Sequence, residues 1–212
     1  MTLHVQSISA QVYDHLRDYV IAGRFAPAVA IRQEALANEL GVSKIPVREA
    51  LIRLEREGLI RVETNRGFFV VPLTQAEARD VYSLRLQIEP PAVAEACRVA
   101  GARDHAVAKA ALEALNTAAS SDRLKVPRAN RLFHLSLVKP LDRPVTLGII
   151  ERLHLVSERN IGEHLEPAGG EDQAHVEHAT MFEHWVAGRA QAVEALVHQH
   201  IEATFVDLMS HY

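Results

Sequence analysis

The chain has 212 residues, of which 48% are apolar and 24% charged, and its net charge is −4 at pH 7. This composition is typical of an ordinary globular protein. Because it contains neither a long uncharged apolar run nor a basic-then-apolar leader, we expect a cytoplasmic protein with no membrane partner. Lys and Arg slightly outnumber Asp and Glu in residues 1–72, whereas acidic residues are in excess after that point. The first third is therefore the better candidate for contacting a polyanion.

The first third is predicted to contain helices and one hairpin. Apolar residues recur there at helical spacing, and two later runs have β-type composition around a turn signal. The predicted helices cover Ser7 to Gly23, Gln33 to Leu40 and a segment starting at Ser43, and the predicted strands are Leu59 to Val62 and Phe68 to Val71, flanking Asn65-Arg66-Gly67.

The remainder of the chain is predicted to be helical. Thr74 is a suitable N-cap and Glu77 completes a capping box, so a second domain begins after Pro72. The predicted helical segments are Gln75 to Ala100, His105 to Ser120, Pro127 to Val138, Pro144 to Leu165, and Asp172 to Tyr212 with a break at Gly188. We therefore predict a mainly α fold: a winged helix-turn-helix over residues 1–72, and an all-α antiparallel helical bundle over residues 73–212.

The helix that follows Gly41 has an unusual first turn. Ser43 can cap it, and Pro46 then lies where its missing N–H is no loss. Lys44 and Arg48 share one face near the N-terminus, although two cations there oppose the helix dipole. This placement suits a helix end that binds an anion. The predicted buried stripe of the helix is Val47, Ala50, Leu51 and Leu54.

A helix of this kind has the form of a recognition helix that enters the major groove of DNA. Arg48 would then bind a guanine in bidentate fashion, and Ser43 and Lys44 would hold phosphates. Arg66 and Gly67 would form the tip of a wing. The local pattern alone leaves open that these cations are merely solvated.

The stretch LANELGVSKIPVREALIRLEREGLI, followed by NRGFFV, resembles the winged-helix DNA-binding domain of the GntR family of bacterial transcription regulators. The resemblance implies that the protein binds double-stranded operator DNA as a homodimer. Lys44 stands where the family more usually has arginine. The candidate DNA-binding residues are Ser43, Lys44, Pro46, Arg48, Arg66 and Gly67.

Twelve histidines raise the question of a metal site. Asn130 and His134 are four residues apart on a predicted helix, so both can reach one ion, and His178 and His200 lie on later helical segments. Three imidazoles and one oxygen suit Zn or Ni. Each histidine, taken alone, could equally be a surface or packed residue. Histidines equally eligible by composition are His175, His184 and His198.

The order NxxFH, then EH, then a later His, resembles the FCD effector-binding domain of the FadR-like GntR subgroup over residues 74–212. The resemblance implies a divalent transition metal, Zn or Ni, and a small carboxylate effector close to it. Arg85 and Arg159 are the candidate effector-binding residues, and a salt bridge from Arg85 to Glu89 is the alternative for the first. The implied metal ligands are Asn130, which offers a neutral oxygen, and His134, His178 and His200.

Together these patterns and the two resemblances imply a DNA-binding transcriptional regulator, a repressor controlled by a carboxylate metabolite, and not an enzyme. The alternative is a metal-dependent hydrolase or isomerase whose three histidines activate water. Its general base would be Glu177, but that residue lies about 100° around the helix from His178 and is expected to face away. A helical interaction protein is a third possibility.

Overall fold

The computed structural model describes residues 7–25, 29–71, 74–164, 170–210 and 212, with the side chains of all of these except 123 and 159–173. The chain divides into two compact units, Met1–Pro72 and Leu73–Tyr212. The first combines helices with a small sheet and the second is helical, which confirms the predicted mainly α fold class. None of the described helices is long and apolar enough to cross a bilayer.

In its described residues, the first unit contains three helices and a three-stranded antiparallel sheet with β3 in the centre. Its elements are α1 (Ile8–Ile21), β1 (Ala30–Ile31), α2 (Gln33–Leu40), α3 (Lys44–Arg56), β2 (Ile60–Glu63) and β3 (Gly67–Val70). Asn65 and Gly67 have φ values of 61° and 106°, as a tight turn between β2 and β3 requires. Strand β1 was not predicted, because two residues are too few for an alternating pattern. It pairs Ala30 with Phe69.

Helix α3 is held against α1 by apolar and polar contacts. The predicted stripe of α3 is buried, with Val47 and Leu51 fully enclosed. The hydroxyl of Tyr13 on α1 donates a 2.6 Å hydrogen bond to Glu57, and the guanidinium of Arg53 lies 3.6 Å from the centre of the Tyr13 ring. Burial, together with the Glu57 carboxylate, raises the pKa of Tyr13. These contacts fix the orientation of α3 within the unit.

The described part of the second unit contains six α-helices and two short 3-10 helices, Arg123–Lys125 and Lys139–Leu141. The α-helices are α4 (Gln75–Val99), α5 (Ala102–Ser121), α6 (Val126–Val138), α7 (Pro144–His164), α8 (Gly170–Val186) and α9 (Ala190–Ser210). The predicted capping box is confirmed: the Thr74 hydroxyl accepts from the Glu77 amide, and the Glu77 carboxylate accepts from the Thr74 amide. The predicted break at Gly188 is a turn: the φ of this glycine is 70°, and it lies between the end of α8 and the start of α9.

The inner stripe of α7 changes from apolar to polar along the helix. Ile150 and Leu153 are buried, and the same stripe continues at His154, Ser157 and Glu158, each no more than 2% exposed. A polar layer therefore lies inside the helical unit, beside the apolar core. Buried polar groups on this scale need partners, because an unpaired one costs about 1–3 kcal/mol.

Candidate nucleic-acid interface and metal centre

The N-terminus of α3 projects its first turn into solvent. Ser43 precedes the helix with extended backbone angles, but its hydroxyl makes no hydrogen bond to a helix amide, so the expected side-chain cap is absent. Ser43, Lys44 and Arg48 are exposed, and Ile45 between them is 69% exposed. Pro46 is half-buried. The helix end therefore offers uncapped amides, a hydroxyl and two cations on one surface.

The cations of this surface differ in their partners. The Lys44 ammonium lies 2.8 Å from Glu34 in a solvent-exposed ion pair, which contributes little to stability. At the hairpin tip, Arg66 is exposed and paired with Glu63, and Gly67 is half-buried. Arg48 has no ion-pair partner within the described part of the chain. Of these three cations, Arg48 is therefore the one that can bind an outside ligand without giving up an ion pair.

Three histidines from three helices meet in the second unit. His134 lies on α6, His178 on α8 and His200 on α9, and one ring nitrogen from each lies within 4.8 Å of the others. The ring centres are 5.2 Å apart from His134 to either partner, and 4.8 Å apart between His178 and His200. Asn130 lies one turn before His134 on α6 and is half-buried. The structure thus brings together the three imidazoles of the predicted ligand set.

The chemistry of these three rings fits a transition-metal ion. Both nitrogens of His134 and the Nε2 atom of His178 are buried and have no hydrogen-bond partner among the described residues. Burial, and then the neighbouring imidazoles, lower the pKa of His134 well below its usual range and that of His178 to about 3. Neutral imidazoles with free lone pairs are the form that binds Zn or Ni.

The other candidate histidines lie outside this group. His175 and His198 are exposed, and His184 is half-buried. His154 is buried, and its ring centre is 5.6 Å from that of His134. Composition could not separate these residues from the three that meet, because the choice depends on which helix faces pack together.

Glu89 on α4 connects the histidine group to a buried ion pair. Its carboxylate accepts hydrogen bonds from Arg85 Nε at 3.0 Å and from His154 Nε2 at 2.9 Å, and it lies 3.8 Å from His134 Nδ1. Burial alone would raise the pKa of Glu89, but Arg85 and His154 hold it well below its usual range. The carboxylate is therefore an anion next to the histidine group.

The two predicted effector-binding arginines have different outcomes. Arg85 is buried and forms the salt bridge to Glu89 that the sequence offered as the alternative, and it also donates to the Ser157 hydroxyl at 3.2 Å. The charge of Arg85 is thus held inside the helical unit, and Glu89 lies between it and His134. Arg159 belongs to α7, but its side chain lies outside the described residues.

The sequence interpretation missed part of the buried network. Arg131 Nε donates to Glu158 at 2.7 Å, and both side chains are buried. The available signal was the helical stripe that starts at Ile150, because positions 154, 157 and 158 fall on that same face. A search for polar residues that continue an apolar helical stripe would have identified them.

The expectation for Glu177 was wrong. It was expected to face away from the metal ligands because it lies about 100° around α8 from His178. In the structure its Oε2 atom lies 2.7 Å from Nδ1 of His200. The helical angle was judged within α8 alone, whereas α9 packs along α8 and brings His200 to the side on which Glu177 lies.

Comparison with known proteins gives two family matches. Residues 8–70 match the bacterial regulatory proteins of the gntR family, and residues 80–203 match the FCD domain. The chain is 30% identical over 130 residues to the uncharacterized HTH-type transcriptional regulator YdhC of Bacillus subtilis, an alignment that covers 60% of this chain and 58% of YdhC. It is also 30% identical over 148 residues to the HTH-type transcriptional regulator McbR of Escherichia coli, covering 69% and 67% of the two chains.

Solved structures with the same fold include E. coli McbR/YncC, with a TM-score of 0.81 at 23% identity. That match covers 98% of this chain and all of the other. A GntR regulator from Rhodococcus matches with a TM-score of 0.79 at 22% identity, over 98% of this chain and all of that one. At such identities the likeness establishes the fold alone.

Proposed function

The chain belongs to the GntR family of bacterial regulatory proteins, in the FadR-like subgroup with an FCD domain, and from this premise we propose a ligand-responsive repressor. Members of the family are DNA-binding transcriptional regulators, and the chain is one of them rather than an enzyme. The alternative hydrolase or isomerase receives no support. The proposed signal is a small carboxylate that binds near a metal ion in residues 73–212.

In the proposed DNA complex, the first turn of α3 enters the major groove. Arg48 contacts a guanine edge, while Ser43 and Lys44 hold phosphates. Lys44 exchanges its exposed pair with Glu34 for a phosphate at little cost. Residues 1–72 thus form the DNA-binding domain, which works in the cytoplasm, where the operator lies. Other proposed contacts come from Pro46 and from the wing tip at Arg66 and Gly67.

Residues 73–212 form the proposed effector-binding and dimerisation domain. A homodimer would present two α3 helices to the two half-sites of an operator. Effector binding would change the fit of the two helices to those half-sites, with a coupling free energy of roughly 1–3 kcal/mol.

The proposed metal ligands are the three imidazoles of His134, His178 and His200, with the amide oxygen of Asn130. A bound Zn or Ni ion would supply positive charge and an open coordination position for a carboxylate. Arg85, whose charge lies within the buried network, and Arg159 are the proposed cationic neighbours of the effector.

The main observation behind this proposal is that three imidazoles from three helices meet, and that two of them, His134 and His178, have buried nitrogens without a hydrogen-bond partner among the described residues. Elemental analysis of purified protein tests it, with His178→Ala as the site variant and the exposed His198→Ala as its control. We expect about one metal ion per chain in the wild type and the control, and loss of that ion in His178→Ala. Equal metal content in all three would contradict the site.

The effector is tested by gel shifts with the DNA upstream of the protein's own gene and a panel of small carboxylates. At least one carboxylate should weaken retention by the wild type, by roughly 5- to 150-fold in affinity. The same compound should act far less on His178→Ala. An equal effect on both proteins would place the effector elsewhere.

A further inference from the structure

We propose that Glu177 is a positioning residue that determines which nitrogen of His200 faces the metal ion, an inference that rests on the metal site proposed above. Glu177 lies on α8, directly before His178, and His200 lies on α9. The Glu177 Oε2 atom is 2.7 Å from His200 Nδ1, a short distance typical of a hydrogen bond to a charged acceptor. The contact therefore joins the two helices at the histidine group.

The chemistry of this contact selects one tautomer of His200. An ionised carboxylate can only accept hydrogen bonds, so Nδ1 must carry the proton and donate it. In a neutral ring the lone pair is then on Nε2, and only a nitrogen with a lone pair can bind a metal ion. Glu177 thus commits His200 to coordination through Nε2 and restricts rotation of the ring.

His200 differs in this respect from its two neighbours. Neither nitrogen of His134 has a hydrogen-bond partner among the described residues, and the same holds for Nε2 of His178. The Glu89 carboxylate lies 3.8 Å from His134 Nδ1, which is beyond hydrogen-bond range. The contact with Glu177 is therefore the clearest orienting interaction at the histidine group.

The contact also bears on the charge of the site. Asn130 is a neutral amide, so the proposed ligands include no anion of their own. A carboxylate that accepts a hydrogen bond from a ligating histidine makes the imidazole a stronger base and a stronger ligand. Glu177 supplies negative charge in this way, through His200, instead of by direct contact with the ion. An anionic residue at position 130 should then make Glu177 less important.

The first test is isothermal titration calorimetry, in which Zn²⁺ is added to full-length protein that a chelator has first made metal-free. Glu177→Gln should weaken binding by about 10- to 100-fold, since loss of an outer carboxylate typically has that effect. The matched control is Glu183→Gln, an exposed position on the same helix, which should bind as the wild type does. Adding Asn130→Asp to Glu177→Gln should recover most of the lost affinity.

The second test needs no metal, and it uses a variant only to assign one signal. The imidazole ¹⁵N shifts of His200 in the metal-free wild type should show the Nδ1–H tautomer, with the signal assigned by its absence in His200→Gln. An Nε2–H tautomer would overturn the inference, as would equal Zn²⁺ affinity for the wild type and Glu177→Gln. If the wild type does not bind Zn²⁺, the metal site and the role of Glu177 are both wrong. This outcome differs from the two above, which would overturn the role of Glu177 and leave the metal site in place.

Discussion

At the scale of single residues, the first turn of α3 separates two kinds of DNA contact. Lys44 lies at the start of the helix in an exposed pair with Glu34, and Arg48 lies one turn further on without an ion-pair partner in the described part of the chain. A lysine is a compact point charge suited to phosphate, whereas the planar guanidinium of arginine matches a guanine edge. The two residues should therefore affect binding in different ways.

Replacement of Lys44 tests the phosphate role. Lys44→Ala should weaken binding to operator and non-operator DNA by similar factors, because a phosphate contact carries no sequence information. It should also reduce the slope of log affinity against log salt concentration by about 1. Fluorescence anisotropy at several salt concentrations measures both quantities. A loss confined to operator DNA would instead assign Lys44 to base recognition.

At the scale of helices, α7 carries the polar layer of the second unit. Glu158 is buried and accepts from Arg131 at 2.7 Å, whereas Glu151 is largely exposed and lies 3.5 Å from the same guanidinium. A buried charge that loses its partner is strongly destabilising, but an exposed partner contributes little. Replacing each glutamate in turn therefore compares a buried with an exposed partner of the same arginine.

Glu158→Ala should lower the free energy of unfolding by about 3–5 kcal/mol, because Arg131 is left buried without its close partner. Glu151→Ala should lower it by no more than about 1 kcal/mol. Urea unfolding monitored by circular dichroism gives both values. Equal small losses would mean that the buried pair contributes no more than the exposed one.

The same helices show what periodicity can and cannot predict. The stripe of α3 follows from residue spacing alone, because Val47 and Leu51 are apolar and lie on one face. The bond between Glu89 and His154 could not be predicted in this way, since it joins residues 65 apart that meet only when α4 packs on α7. Glu177 was placed wrongly for a related reason, because the partner that defines its environment lies on another helix.

At the scale of the whole molecule, the metal-free protein should lose stability in acid. His134, His154 and His178 have lowered pKa values in the folded state, mainly because they are buried. The unfolded chain binds protons to such residues below about pH 6.5, whereas folded His178 does so only near pH 3. Stability therefore falls as pH decreases through this window. Glu89 acts in the same direction: its lowered pKa contributes stability above about pH 4.5 that is lost at lower pH.

Urea midpoints of chelator-treated protein between pH 7.5 and 5 measure this effect. They should fall with decreasing pH at a rate that corresponds to uptake of more than one proton on unfolding. His178→Phe should reduce the slope, whereas the exposed His198→Gln should leave it unchanged. A stability independent of pH over this range would contradict the buried neutral state of the histidines.

The most direct test of the regulator as a whole is retention of the DNA upstream of its own gene, measured by gel shift with excess non-specific competitor. The full-length wild type should retain one segment selectively. Arg48→Ala should lose about 1–3 kcal/mol of that discrimination. The matched variant Arg56→Ala, exposed at the far end of α3, should retain the segment as the wild type does. Absence of selective retention by the wild type, or equal behaviour of the two variants, would contradict operator recognition through the first turn of α3.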